Sequence, residues 1–528
     1  MRKVFLIFCF TLIAISLAAA VLWWKPLIYF TAFMVLMLFW GLYDMVQTKH
    51  SIIRNFPIFG RARWLMEALR PKLYQYFIES DTDGRPINRI DRSTIYQRAK
   101  KVTDTMPFGT QLNVYAEGYE WMAHSMNPID FHKLNHDPRV EIGNKDCTQP
   151  YSCSVFNVSA MSYGSLSKNA VEALNSGAKM GGFAHNTGEG GLSPFHLKHG
   201  GDLIWQIGTG YFSARNPDGT FNEELFAKNA AQPSVKMIEI KLSQGAKPGH
   251  GGILPAAKNT TEIAAIRNVA PHTTIFSPPN HTAFSTPREL VQFVARLRRL
   301  SNGKPVGFKL CVGHKSEFMA ICKAMREADV YPDFITVDGG EGGTGAAPQE
   351  FSNYVGAPLL DGLAFVVNTL HGFDIKQHIK VIASGKMIGG FHLVRAMALG
   401  ADACYSARAM MMALGCIQAL ECNNNKCPTG VATQDPQLVA GLVVADKNKR
   451  VMNYHHETVK NCVELLGAAG MEDGERITRS HIYRRVFMNQ VTTFEDIFPS
   501  VHTGSFINGN IPERYQQDFS LADPDKWN

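Results

Sequence analysis

Two long apolar runs come first. Val4 to Trp24 carries no charge, and beyond Lys25-Pro26 a second uncharged run extends from Leu27 to Leu42. With a helical rise of about 1.5 Å per residue, each reaches roughly the 30 Å of a bilayer's hydrocarbon core, the second with help from its flanks. Trp23, Trp24, Tyr29, Trp40 and Tyr43 stand near the ends, where amphipathic rings prefer the headgroup layer. Residues 1–48 therefore predict a transmembrane helical hairpin. Arg2 and Lys3 precede it, Lys49, Arg54, Arg61 and Arg63 follow it, and only Lys25 lies between. The positive-inside bias then puts both ends in the cytoplasm and the hairpin in the inner (plasma) membrane. A cleaved signal peptide is the competing reading, because Arg2-Lys3, the apolar run and Leu17-Ala18-Ala19-Ala20 imitate its three parts. It leaves the second run, and the cations behind it, unexplained.

The pattern then changes. Residues 49–150 mix apolar residues with many Arg and Lys, with helical spacing at Trp64-Leu65…Leu69 and from Ser93-Thr94 to Val102, where Ser93 is placed to cap. This predicts a juxtamembrane helical cap, part of it facing anionic lipid headgroups. From about 154 to 412, strand-like runs alternate with helical stretches. The runs are Val155–Ala160, Phe183–Asn186, Leu203–Ile207, Met237–Leu242, Val306–Val312, Phe334–Val337, Val381–Ala383 and Ala403–Ala407. Eight such units predict an α/β fold, a (β/α)8 TIM barrel over residues 151–435, with polar, Gly-rich loops at the C-terminal ends of the strands. One run, Thr273–Ser277, is surplus and reads as an insertion after the fourth strand. Residues 436–490 predict a helical extension and 491–528 a polar tail.

Composition narrows the class. The 528 residues rule out neither a large domain nor two smaller ones, but disorder and fibrous repeats are excluded by the 45% hydrophobic content. The excess of 53 Lys+Arg over 46 Asp+Glu is not gathered into a basic arm, so nucleic acid is not an expected partner. Ten cysteines are too sparse for a disulfide scaffold, and reduced thiols, some of them ligating, are expected.

Candidate chemistry gathers at the strand ends. Ser384-Gly385-Lys386 follows the seventh strand and Ser406-Ala407-Arg408 the eighth. Two such turns and a helix N-terminus suit a phosphate, with charge from Lys386 or Arg408, as in flavin mononucleotide (FMN) or a sugar phosphate. Lys309 sits within a strand-like run, where an unpaired ammonium is costly. It therefore meets either an electron-rich cofactor or, as a structural pair, Asp338. Lys241, Gln244 and Lys247 follow a strand directly, and with Arg267 their cations suit a dicarboxylate. Cys416, Cys422 and Cys427 form C-x5-C-x4-C. Three thiolates favour a three-iron cluster over zinc, which normally takes four ligands in a structural site. Cys147 and Cys153 repeat the spacing without a third partner and are read as packing residues.

Taken together, 162-SYGSLSKNAVEAL-174, 181-GGFAHNTGEGG-191, 241-KLSQGAKPGHGGILPAAK-258, 339-GGEGGTGAAP-348 and 415-GCIQALECNNNKCPTGVATQ-434 closely resemble the FMN-binding synthase domain of glutamate synthase, in the family's order and over about residues 80–490. The resemblance implies an FMN barrel and a [3Fe-4S] cluster on Cys416, Cys422 and Cys427. Ser162, Gln206, Lys309, Gly339, Gly340, Ser384, Gly385, Lys386 and Arg408 would contact the flavin. Lys241, Gln244, Lys247 and Arg267 would hold 2-oxoglutarate, with Lys241 and Glu189 catalytic and Glu189 a proton donor. The implied reaction is reductive amination of 2-oxoglutarate to L-glutamate by a glutamate synthase-like oxidoreductase acting on CH-NH2 donors. No dinucleotide-binding G-x-G-x-x-G follows a strand, so electrons come from a separate donor. The family's glutaminase has no counterpart here, so ammonia comes from solution or from a separate glutaminase subunit. Leu192-Ser193 and His250 depart from the family's acidic or amide residues. A flavin oxidoreductase acting on another 2-oxo acid or imine, or a membrane-associated electron-transfer subunit, is the alternative.

Overall fold

The two uncharged runs form helices α1 (Arg2–Leu22) and α2 (Leu27–Val46), both long and apolar enough to cross a membrane. They are the first part of a computed structural model that describes residues 1–102 and 105–527. Packing divides the chain into two units, Met1–Pro86 and the remainder from Ile87. In the first unit α1 and α2 run antiparallel. Ser16 and Thr31 share a 2.8 Å hydrogen bond, and Gly41 leaves room for the Phe5 ring, which a Cβ would meet at 2.1 Å. Asp44, fully buried near the end of α2, accepts hydrogen bonds from Arg61 at 2.5 Å and the Ile58 N–H at 2.9 Å. That pairing offsets the cost of burying its charge and fixes the chain beyond α2. A short α3 (Ser51–Asn55) and α4 (Arg61–Leu73) follow, and α4 runs into a π-helical turn at Tyr74–Ile78.

The second unit opens with helix Arg89–Lys100, whose N-cap is Asn88 rather than Ser93: Asn88 Oδ1 accepts from Asp91 N at 2.8 Å. Ser93 lies inside the helix because a polar first turn, Arg89-Ile90-Asp91, precedes it. Strands then come in chain order as β1 (Glu120–Met122), β2 (Arg139–Ile142), β3 (Tyr151–Ser154), β4 (Phe156–Val158), β5 (His185–Asn186), β6 (Leu203–Ile207), β7 (Val235–Lys241), β8 (Ile253–Leu254), β9 (Ile275–Phe276), β10 (Val306–Leu310), β11 (Phe334–Asp338), β12 (Lys380–Ser384), β13 (Ala403–Ser406), β14 (Ile482–Phe487) and β15 (Gln490–Thr493). The eight strands β4–β7 and β10–β13 close into a parallel barrel in the order β10-β11-β12-β13-β4-β5-β6-β7. Every predicted run contributes one of them. The surplus run becomes β9, which pairs antiparallel with β8 in an excursion between β7 and β10.

The barrel interior is layered. Ala184, Ile204, Met237, Phe334, Ile382 and Ala403 form an apolar layer at the N-terminal end, and Ile142, Tyr151 and Cys153 of the β2–β3 hairpin join the same buried cluster as a plug. Above it lies a polar layer around Glu239, which accepts hydrogen bonds from Asn186 and Gln206 at Oε1 and from Thr336 at Oε2, at 2.6–2.8 Å. Three strands thus satisfy one buried carboxylate. The next layer carries Lys241 and Lys309, which are register partners on β7 and β10. Helix Val444–Ala468 packs against helices Lys168–Gly181 and Arg89–Lys100 on the outside. The segment expected as a polar tail folds back instead: Phe506 and Tyr515 are buried, and the Tyr515 hydroxyl accepts from Asn368 at 3.0 Å.

Candidate active site

Loops at the C-terminal ends of the strands bring the predicted charged residues together. Lys241 ends β7, and Glu189 comes from the loop after β5, with 2.7 Å between Lys241 Nζ and Glu189 Oε1. Glu189 reaches this position between two glycines. A Cβ on Gly208 would lie 2.7 Å from its Cβ, and one on Gly252 would lie 3.0 Å from its Oε1. Lys241, Lys247, Arg267 and Lys309 are all buried, between 2% and 6% exposed. Arg267 arrives from helix Thr261–Arg267 in the β8–β9 excursion, donates to the Tyr163 carbonyl at 3.0 Å and lies 5.0 Å over the Phe212 ring. Gln244 shapes the turn after β7, its carbonyl accepting from Lys247 N at 3.3 Å.

The electrostatics follow from crowding cations around one carboxylate. Burial alone would raise the Glu189 pKa, but Lys241, and beyond it Lys247 and Arg267, outweigh burial and hold the carboxyl below its usual range. Burial pushes Lys241 down against the pull of Glu189, Lys247 to about 8 and Arg267 to about 10. The proton-transfer role expected of Glu189 therefore starts from a carboxyl held below its usual range. In the resting site Glu189 is the carboxylate partner of Lys241, and Lys247 is the group poised near neutrality. His281, not singled out from the sequence, bonds the Lys241 carbonyl through Nε2 at 2.9 Å and the Tyr211 hydroxyl through Nδ1 at 3.1 Å. Burial takes it down to about 4.

Lys309 forms no ion pair with Asp338. Asp338 Oδ2 instead accepts from Gly245 N at 2.8 Å, and among the described residues no carboxylate oxygen lies within 4.0 Å of the Lys309 ammonium. The turns after β12 and β13 are tied together by Ser406 Oγ donating to the Met387 carbonyl at 2.7 Å. Gly385 and Lys386 both have positive φ there, and Lys386 is exposed. Arg408 is turned inward and donates to the Glu341 carbonyl at 2.6 Å. Gly339 and Gly340 spend their N–H groups on the Ser384 and Ala357 carbonyls, at 2.8 and 2.7 Å. Their lack of a side chain serves packing, since a Cβ on Gly339 would lie 2.6 Å from Leu359. Ser162 donates to Ser165 Oγ at 2.9 Å, and the Gln206 amide donates to Glu239. A buried ammonium without a counter-ion, two pinned turns and an inward arginine form a donor set that suits a phosphate-bearing, electron-rich group.

Cys416, Cys422 and Cys427 share one loop and sense one another's charge. Burial raises Cys416 to about 12. At Cys427 burial also pushes upward, but the Thr429 hydroxyl and the N–H groups of Ala432, Thr429 and Val431 outweigh it and hold the thiol below its ordinary value. Lys258, which sequence reasoning passed over, is 3% exposed, donates to the Ser165 carbonyl at 2.8 Å and opposes in part the burial that raises the Cys422 thiol. Among the described residues no three His, Cys, Asp or Glu side chains converge on a single-ion site. The three cysteines of this loop, with the buried Lys258 near Cys422 and Cys427, supply the soft donors that an iron–sulfur cluster would take. Cys147 and Cys153 are not among them: burial raises them to about 11 and about 12.

A sequence profile described as the conserved region in glutamate synthase matches residues 91–472. The chain is 37% identical over 481 residues to the glutamate synthase large subunit-like protein YerD of Bacillus subtilis, covering 84% of this chain and 91% of that protein. It is 37% identical over 322 residues to the archaeal glutamate synthase [NADPH] of Methanocaldococcus jannaschii, covering 61% of this chain and 60% of that one. A flavocytochrome b2 mutant with pyruvate bound aligns at 12% identity and a TM-score of 0.42, over 79% of this chain and 85% of that one. The profile match spans the barrel, the Glu189–Lys241 site and the cysteine loop, so the chain belongs to the glutamate synthase family, as a glutamate synthase-like oxidoreductase.

Proposed function

We propose that this protein reductively aminates 2-oxoglutarate to L-glutamate, with FMN at the barrel mouth and a [3Fe-4S] cluster on Cys416, Cys422 and Cys427. Electrons reach it from a separate donor, and ammonia from solution or a partner glutaminase. The observation that carries this reading is the charge balance. Lys241, Lys247 and Arg267 crowd around Glu189, so three buried cations meet one carboxylate. The two uncompensated charges match the two carboxylates of the substrate. When bound, FMN supplies hydride to the imine carbon. Lys309 would then lie against the part of the flavin that gains negative charge, and the turns after β12 and β13, with Arg408, would hold its phosphate. Substrate carboxylate competes with Glu189 for Lys241. Glu189, ionised beforehand, is then free to accept a proton from incoming ammonium, while Lys247, near neutrality, returns one when water leaves. Helices α1 and α2 anchor the protein in the plasma membrane with the barrel on the cytoplasmic side.

The test is anaerobic. Protein purified in detergent is assayed for flavin and iron, reduced chemically and mixed with 2-oxoglutarate and ammonium. Flavin reoxidation with stoichiometric glutamate supports the proposal. Flavin and iron without glutamate formation would discard the substrate and leave a flavin oxidoreductase of other specificity.

A further inference from the structure

From Arg61 to Ile78 the helical chain of α4 and its π-turn buries no side chain. Its apolar residues are nonetheless patterned. Ala62, Leu65, Met66, Leu69 and Leu73 follow helical spacing and cover one arc of about 100°. Leu65, Met66 and Leu73 are 56%, 51% and 43% exposed, and Phe77 beyond them is 82% exposed. Cations edge this arc on both sides, Arg63 and Arg70 on one and Arg61 and Lys72 on the other, against a single carboxylate, Glu67. An exposed apolar arc of this size calls for a partner.

Two observations say which. The start of α4 is clamped to the end of α2: Arg61 binds Asp44, two residues before α2 ends at Val46, and Trp64 lies 4.9 Å from His50. Whatever surface α2 leaves, α4 therefore begins at it. The flanking cations, together with Tyr74 and Tyr76 at the far end, also match a negatively charged headgroup layer with acyl chains beneath it.

We infer that α4 and its π-turn lie in the plane of an anionic lipid surface, with the Leu65–Leu69–Leu73 face inserted and the arginines on the headgroups, as a second membrane element beside the hairpin. This rests on the anchoring reading above. The test uses the full chain in nanodiscs of phosphatidylcholine alone or mixed with phosphatidylglycerol, with hydrogen exchange followed over residues 61–78. Exchange about tenfold slower in the anionic discs, reversed by Arg63→Glu/Arg70→Glu/Lys72→Glu and by Leu69→Gln/Leu73→Gln, is the expected result. Equal exchange in both discs while residues 2–46 stay protected overturns the inference alone. So does protection that ignores lipid charge and rises with protein concentration, which would make the occupant a second copy. Failure of the chain to co-elute with discs overturns the anchoring reading, and this inference with it.

Discussion

Lys241 Nζ sits 2.7 Å from Glu189 Oε1, although Lys241 ends β7 and Glu189 lies in the loop after β5, and neither charge has another ion-pair partner among the described residues. The pair sets the pull of Glu189 against the burial that lowers Lys241, and holds Glu189 below its usual range. A buried lysine loses its proton readily when alone, and a carboxylate beside three cations keeps its own off. The pair is thus preorganised and exchangeable: an anion that reaches Lys241 releases a carboxylate in the same step.

Glu189→Gln removes that carboxylate without changing shape. We expect kcat/KM for 2-oxoglutarate and ammonium to fall by about 10²–10⁴, the range of a lost acid–base group, while flavin content is unchanged. The loss should be largest on the acidic side of the pH profile, where ammonium rather than ammonia must be deprotonated. A variant retaining more than a third of wild-type activity would remove Glu189 from the proton path.

Gly208→Ala tests the positioning of Glu189 without touching its charge. The new methyl would lie 2.7 Å from Glu189 Cβ, so the side chain must move away from Lys241. About a hundredfold loss of activity is expected, in line with the cost of a misplacement near 1 Å. Gly313→Ala is the control, since a Cβ there meets nothing within 4 Å. Similar losses in both variants, measured as kcat/KM on protein of matched melting temperature, would count against a role specific to Glu189.

The barrel was legible in the chain because parallel strands are covered on both faces and so read as continuous apolar runs between glycines. Val306–Val312 and Leu203–Ile207 are of this kind and match β10 and β6. Less legible was what depends on closure. The sequence separation of Glu189 and Lys241 says nothing of their contact, and the Lys309–Asp338 pair, which the sequence left open as the alternative to an electron-rich cofactor, is set aside only by Gly245 N holding Asp338. Lys258 carries no local signal, because its significance comes from the cysteine loop folding over it. The Asn88 cap was missed since the first turn after it has no apolar periodicity, and the aromatic residues of the C-terminal segment were too widely spaced to suggest burial.

Asp333 offers a test of stability away from the site. Fully buried with Arg298, it accepts from Arg298 NH2 and Val306 N at 2.8 Å through Oδ2 and from Asn144 N at 2.8 Å through Oδ1. Asp333→Ala leaves a buried guanidinium and two backbone N–H groups without their acceptor, at a cost of roughly 3–5 kcal/mol. Thermal unfolding followed by circular dichroism should show a fall of several degrees or more. A melting temperature within one degree of wild type would mean that water replaces the carboxylate.

Acid should destabilise the barrel unit through its histidines. Burial holds His196 and His281 near 4 and His392 and His455 near 3, and takes His185, whose ring nitrogens have no partner, well below its ordinary value. In the unfolded chain these groups titrate near 6.5, so between about 4 and 6.5 the unfolded state binds more protons than the folded one. Their contribution is fully present above pH 6.5 and lost as the pH falls, at up to about 1.4 kcal/mol per unit for each histidine. Melting temperatures measured from pH 7.5 to 5.0 should therefore drop steadily below 6.5. Replacing His392 by Asn, which keeps a polar group but does not titrate, should make that slope shallower, and an unchanged slope in the variant would show that His392 is protonated without unfolding.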